Sequence, residues 1–180
     1  MDQLPVADLV IRAKRGDAAA FGELARRHLR AAFAVALAVL GRPADADDLA
    51  QDAFVIALER IADCREPARF SGWLLQIVRS RALHALEKRK LRDPSDAAGD
   101  VVAASMLGDV VLRGYLLAAL AELPQAQREI VLLHDLDGWS HAELAGALGL
   151  TEVNCRQHLF SARRALRAAL AAEEIHGTGT

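Results

Sequence analysis

The sequence predicts an all-α protein built as two small helical domains joined by an acidic linker. Three observations lead there. Strong helix formers such as alanine, leucine, arginine and glutamate are abundant in the 180 residues, while aromatics make up only 4%. Apolar residues recur at three- and four-residue steps along much of the chain, the period of a helix with one buried face. The net charge is only −2, but it is unevenly placed. Basic residues outnumber acids from Arg60 to Arg92, acids dominate from Asp93 to Asp137, and the balance turns basic again after Ser140. Two basic zones around an acidic one fit two nucleic-acid contacts with a spacer that avoids duplex DNA; they also fit solvated helix faces.

The first domain is expected over residues 1–92. Leu4 to Lys14 reads as a short amphipathic helix, and Asp17 as the cap of a second that runs through His28 to Leu40. Gly41-Arg42-Pro43 breaks it. Asp45 to Ile61 forms a third helix with a core stripe of Leu49, Ala53, Phe54, Leu58 and Ile61, leaving Asp47, Asp48, Gln51, Asp52 and Glu59 exposed. The early acids of that helix also suit its own N-terminus. Ala62 to Ala68 is a loop. Ser71 is positioned to cap a fourth helix reaching about Lys90, with Trp73, Leu74, Ile77, Ala82, Leu83 and Leu86 apolar and Arg79, Arg81, His84, Lys88 and Arg89 basic or polar.

Residues 93–109 carry Pro, Gly, Ser and several acids with little periodicity and read as a linker. The second domain is expected over 110–172. Pro124 sits at an N1-like position of a helix to about His134 that places Ile130, Val131 and Leu133 inside. The stretch from Ser140 to Leu170 is the most informative. Ser140 and Glu143 make a capping box, Gly149 can end that helix at positive φ, and Thr151 can cap the next. On this last helix Cys155, Leu159, Ala162, Leu166 and Leu170 form a buried seam, opposite Arg156, Gln157, Phe160, Ser161, Arg163, Arg164 and Arg167. A short helix, a glycine turn and a helix with a basic face make a helix-turn-helix, whose second helix enters the DNA major groove. Residues 173–180 read as a frayed, disordered tail.

Other function classes find little support. No phosphate loop, complete metal set or nucleophile–base spacing is present, so no enzyme activity, cofactor or metal is expected. Cys155 and His158 have ligand-like spacing, but the pair is half a zinc site, and Cys155 falls on the apolar seam. No signal peptide or membrane-spanning run is found, so the expected compartment is the cytoplasm, without membrane contact by the chain itself.

Three segments in order resemble the extracytoplasmic-function (ECF) group of bacterial sigma-70-type factors, which give RNA polymerase its promoter specificity. DADDLAQDAFVIALERI (Asp45 to Ile61) is similar to the family's polymerase-binding helix. FSGWLLQIVRSRALHALEKRK (Phe70 to Lys90) is similar to its −10 element helix, and the stretch from Leu123 to Leu166 to its −35-binding helix-turn-helix domain. The resemblance covers nearly the whole chain. Its order matches two domains, sigma region 2 and sigma region 4, on either side of the linker.

The resemblance implies an initiation factor that binds core RNA polymerase (β and β′ subunits), recognises the −35 and −10 elements and promotes melting of promoter DNA. Asp47, Asp48, Gln51 and Asp52 are its implied polymerase-binding residues, and Arg79, Ser80, Arg81, His84 and Lys88 its implied −10 contacts. The loop Cys64 to Phe70 is the family's place for capturing flipped bases. Arg156, Gln157, Phe160, Ser161, Arg163 and Arg164 are the implied −35 contacts. Arg156 is suited to guanine, Gln157 to adenine and Phe160 to a thymine methyl, while Arg163, Arg164 and Arg167 are suited to phosphates. The resemblance also implies an anti-sigma partner. Ser80 stands where the family often has Asn, and Gln157, His158 and Ser161 depart from its usual recognition helix, so the preferred −35 sequence is expected to differ from the commonest one. The alternatives are a stand-alone helix-turn-helix regulator and a degenerate sigma-like protein that no longer melts DNA.

Overall fold

The computed structural model describes residues 4–92 and 107–177, all of their regular structure helical. Four helices make the first unit: α1 (Val6–Lys14), α2 (Ala18–Leu40), α3 (Pro43–Glu59) and α4 (Phe70–Arg92). The second unit holds α5 (Leu107–Glu122), α6 (Gln125–Val131), α7 (His141–Leu148) and α8 (Glu152–Gly177), with a wide π-type turn over Leu132–Leu136 extending α6.

Helix α2 is the centre of the molecule. Its first half is amphipathic, but from Ala31 to Leu40 nearly every side chain is buried, because α1, α3 and α4 cover it and the second unit packs on its remaining side. A helix apolar all round needs partners all round, and its alanines let those neighbours approach closely. Asp17 caps it by accepting from the Ala20 N–H at 3.0 Å, and Gly41 ends it at φ 72°, a conformation that glycine adopts without steric cost. Most buried side chains of both units belong to one cluster, which runs from Leu9 and Val10 through Phe70, Leu74 and Leu75 to Ile130, Leu144, Cys155 and Ala162, with Val39, Leu40 and Ala82 in a smaller second one.

Several expected boundaries shift. Helix α3 opens at Pro43 rather than Asp45, since proline's fixed φ suits the first helical position. It ends at Glu59, and Ile61 lies in a short 3-10 turn. Leu58, expected in the core, is 49% exposed; Ala46, Ala50 and Ala57 take the buried stripe instead. Ser71 does not cap α4, which already includes Phe70; its hydroxyl meets His28 Nε2 at 2.8 Å. Leu83 is exposed on α4. Pro124 occupies the N-cap of α6, one position before the one expected. Helix α5 starts inside the expected linker, at Leu107, and the remaining linker residues lie outside the described ones. Helix α8 continues to Gly177, well into the expected tail, because Ala172, Glu173, Glu174, Ile175 and His176 include no helix breaker.

Candidate nucleic-acid interface

The capping pattern read from Ser140 onward is the one the structure forms. Ser140 Oγ accepts from the Glu143 N–H, and the Glu143 carboxylate accepts from the Ser140 N–H at 2.8 Å and from its hydroxyl at 2.7 Å. The Ser140 hydroxyl and N–H thereby hold the Glu143 carboxyl below the usual carboxylate range. Gly149 turns the chain at φ 68°, and Thr151 Oγ1 accepts from the Asn154 N–H at 3.2 Å to start α8. The turn is therefore fixed at both ends, which sets the angle at which α8 leaves α7. Cys155, Leu159 and Ala162 are buried beneath α8, with Leu166 and Leu170 half-buried, and burial pushes the Cys155 thiol up.

The opposite face of α8 is presented to solvent. Arg156, Gln157, Phe160, Arg163 and Arg164 are exposed, and Ser161 is half-buried at the edge. Phe160 is 64% exposed, and Val153, one turn and more before it, is also exposed. A large aromatic left in water on a cationic helix face is apolar area available to a partner surface. Two arginines already have acidic neighbours. Arg156 pairs with Glu152 at 3.0 Å along the helix, and Arg163 forms a fork onto Asp135 in the turn after α6. The Arg163 hydrogen bonds lower the Asp135 carboxyl and raise the guanidinium. Such exposed pairs contribute roughly 0–1 kcal/mol each.

On α4 the residues read as −10 contacts do not share one face. Arg81, His84 and Lys88 are exposed at helical spacing and line a groove of about 580 Å³ between α3 and α4. Its other wall carries Asp45, Asp48 and Asp52, and Leu40, Leu49 and Ala85 also line it. Part of the expected −10 set and part of the expected polymerase set thus meet across one cleft of mixed charge. Arg89 closes onto Asp45 at 3.4 Å at the same cleft. Gln51 is exposed on α3 and donates to Asp47 at 3.0 Å, while Val55, 58% exposed, extends the outward face of Asp48, Gln51 and Asp52. Ser80 is exposed between the two faces of α4.

Arg79 points the other way, into the second unit. Its Nε donates to Glu129 Oε1 at 3.1 Å and its Nη2 to Oε2 at 2.6 Å, with Gln125 adding a third hydrogen bond to the carboxylate at 3.0 Å. The Glu129 side chain is only 5% exposed and that of Arg79 24%. Next to it, Arg128 donates to the Ala38 carbonyl of α2 at 2.6 Å and to those of Ala121 and Leu123 at 2.9 Å, so one guanidinium caps the C-terminal ends of α2 and α5 together. Burial pulls the Arg128 guanidinium down from its ordinary value, and its Nε has no acceptor among the described residues. Arg30 of α2 donates to the Leu136 carbonyl and lies 3.5 Å from Asp137. The backbones also touch: a Cβ on Gly72 of α4 would sit 3.3 Å from Ala147 Cα of α7. Sequence reading missed this seam, because its partners are separated by 50 to 106 positions and carry no local signal.

The base of the loop between α3 and α4 is tied down. Lys14 donates to the Cys64 carbonyl at 2.5 Å and Cys64 itself is buried, which raises its thiol. Phe70, fully buried, closes the loop edge-on to His28 with ring centres 5.2 Å apart. Burial pushes the His28 imidazole down, and its two ring nitrogens meet the Leu24 carbonyl and the Ser71 hydroxyl. Trp73 is half-buried against Phe70.

Comparison with known proteins gives a consistent picture. The Sigma-70 region 2 family matches residues 24–92, and the Sigma-70, region 4 family matches 113–166. The chain is 32% identical to the RNA polymerase sigma factor NccH of Alcaligenes xylosoxydans xylosoxydans over 93% of its own length and 95% of the relative's. It is 31% identical to the ECF RNA polymerase sigma factor SigM of Mycobacterium tuberculosis, over 89% and 82%. Among solved structures it is similar to CnrH, determined in complex with the cytosolic domain of CnrY, with a TM-score of 0.66, 27% identity, and coverage of 93% and 97%. Among the described residues, no helix is long and apolar enough to cross a membrane.

Proposed function

The chain belongs to the ECF group of the sigma-70 family of RNA polymerase sigma factors, and from that premise we propose a two-point grip on promoter DNA by a chain docked on core polymerase. The observation that carries it is the pairing, in one molecule, of a capped helix-turn-helix with a solvent-facing basic helix and a region 2 unit whose α3 presents Asp48, Gln51, Asp52 and Val55 outward.

In this reading α8 lies in the major groove at the −35 element. Arg156 and Gln157 near its N-terminal end read base edges by paired hydrogen bonds, and Phe160 presses on a thymine methyl. Arg163 and Arg164 hold phosphates and fix register. Helix α4 and the loop Cys64 to Phe70 handle the −10 element, where melting requires bases taken out of the stack and held by stacking and edge hydrogen bonds. Residues up to 92 form the polymerase- and −10-binding domain, and the unit from α5 to α8 (107–177) forms the −35-binding domain, joined by the linker between them. The acidic face of α3 meets a basic surface of the polymerase. The chain acts in the bacterial cytoplasm, and an anti-sigma protein restrains it; the similar CnrH forms a complex with the cytosolic domain of CnrY.

Each half-contact is small, so neither holds promoter DNA tightly alone; docking on polymerase lets the two act together. The test is the affinity of the chain for a duplex promoter fragment, selected from genomic DNA, with and without core polymerase. An increase of about a hundred-fold or more with polymerase is expected, in keeping with the usual gap between specific and non-specific binding. Equally tight binding by the isolated chain would instead identify a stand-alone helix-turn-helix regulator.

A further inference from the structure

We propose that Glu129 is an internal substitute for DNA: it occupies the phosphate-binding fork of Arg79 in the free chain and holds the two domains closed until polymerase separates them. The inference rests on the reading of Arg79 as a −10 contact. An arginine fork bonds a carboxylate and a phosphate in the same way, through two parallel N–H donors. Arg79 presents that fork to Glu129 with both bonds made, and Gln125 holds the carboxylate in place. In this state both donors of the fork are taken.

The contact belongs to a seam of three arginines that cross between the domains in both directions. Arg79 and Arg30 reach from region 2 into region 4, and Arg128 reaches back to the Ala38 carbonyl. The close approach of Gly72 to Ala147 closes the seam at its far end. Its chemistry suits a latch rather than a permanent weld. An ion pair taken out of water gives up hydration that opening restores, so its net contribution is small although its geometry is specific. Arg128 Nε, without an acceptor while the seam is closed, gains water when it opens. Opening therefore frees Arg79 for DNA at the same moment that it separates α4 from region 4, the rearrangement a two-point grip needs.

The experiment uses the full chain without polymerase. Binding to a short, labelled, mixed-sequence single-stranded DNA is read by anisotropy, and the radius of gyration by small-angle X-ray scattering. Glu129→Gln is expected to enlarge the chain and raise affinity about ten-fold, as when a binding-competent state rises from a tenth to nearly all of the population. Adding Arg79→Ala is expected to abolish that gain. Gly72→Leu provides a second route that leaves Glu129 untouched: its side chain meets the α7 backbone, and leucine favours the α4 helix more than glycine does. It should open the chain and give a similar gain even if Glu129→Gln folds poorly. Folded variants that stay closed overturn the latch, and variants that open without tighter, Arg79-dependent binding overturn the masking of Arg79. Failure of the promoter reading itself would show separately, as no polymerase-dependent DNA binding by the wild-type chain.

Discussion

Reversing the charge at Asp52 is expected to lower affinity for core RNA polymerase by about 10- to 100-fold, the size of effect produced when a like charge is set against a charged partner surface. Asp52 is exposed in the middle of α3, on the outward face with Asp48 and Val55. The helix is held by its other side, where Ala46, Ala50, Ala53, Phe54 and Ala57 are buried. An Asp52→Arg substitution therefore changes what the helix presents and not how it packs; its effect on stability should stay within about 0.5 kcal/mol. The same substitution should leave binding of isolated α8-type contacts to duplex DNA nearly unchanged. Titration of labelled chain with core polymerase reads the effect directly. An unchanged dissociation constant in a folded variant would remove α3 as the docking surface.

The largest effect on stability is expected at Phe70. Its side chain is fully buried, packs edge-on against His28 and contacts Trp73, and it stands where the loop after α3 becomes α4. Phe70→Ala removes a ring from a site bounded by a helix start and a doubly hydrogen-bonded histidine, neither of which can collapse into the space without breaking bonds. A loss of about 3–5 kcal/mol is expected, in the range for buried aromatic truncations. Denaturant unfolding followed by the fluorescence of Trp73, in a Trp139→Phe background, measures it in region 2. A loss under about 1 kcal/mol would mean that Phe70 does not anchor the loop.

Much of this molecule is written locally. Asp17, Ser140, Glu143, Gly149 and Thr151 act through partners within a few residues, so spacing alone shows the caps, and the structure forms each of them. Periodicity likewise identifies the seam of α8 and its exposed basic face, because one helix carries both. It fails where the second partner is distant. Leu58 fits the apolar rhythm of α3 but lies outside, since small alanines let α2 and α4 approach on a neighbouring stripe. Ser71 has the chemistry of a cap, yet it serves His28, 43 positions away. The four basic −10 candidates look like one set in the sequence, while the helix turns Arg79 toward Glu129 and Arg81, His84 and Lys88 toward the acids of α3. Charge composition alone does not say which acid an arginine will meet.

The central claim is that this chain directs polymerase to start sites. Run-off transcription with core polymerase on fragments of the bacterial genome, with and without the chain, tests it most directly. The expected result is a set of transcripts with defined new 5′ ends that appear only when the chain is added and disappear with Asp52→Arg. If the chain binds core polymerase but yields no new start site on any fragment, the account of it as a promoter-selecting initiation factor is contradicted.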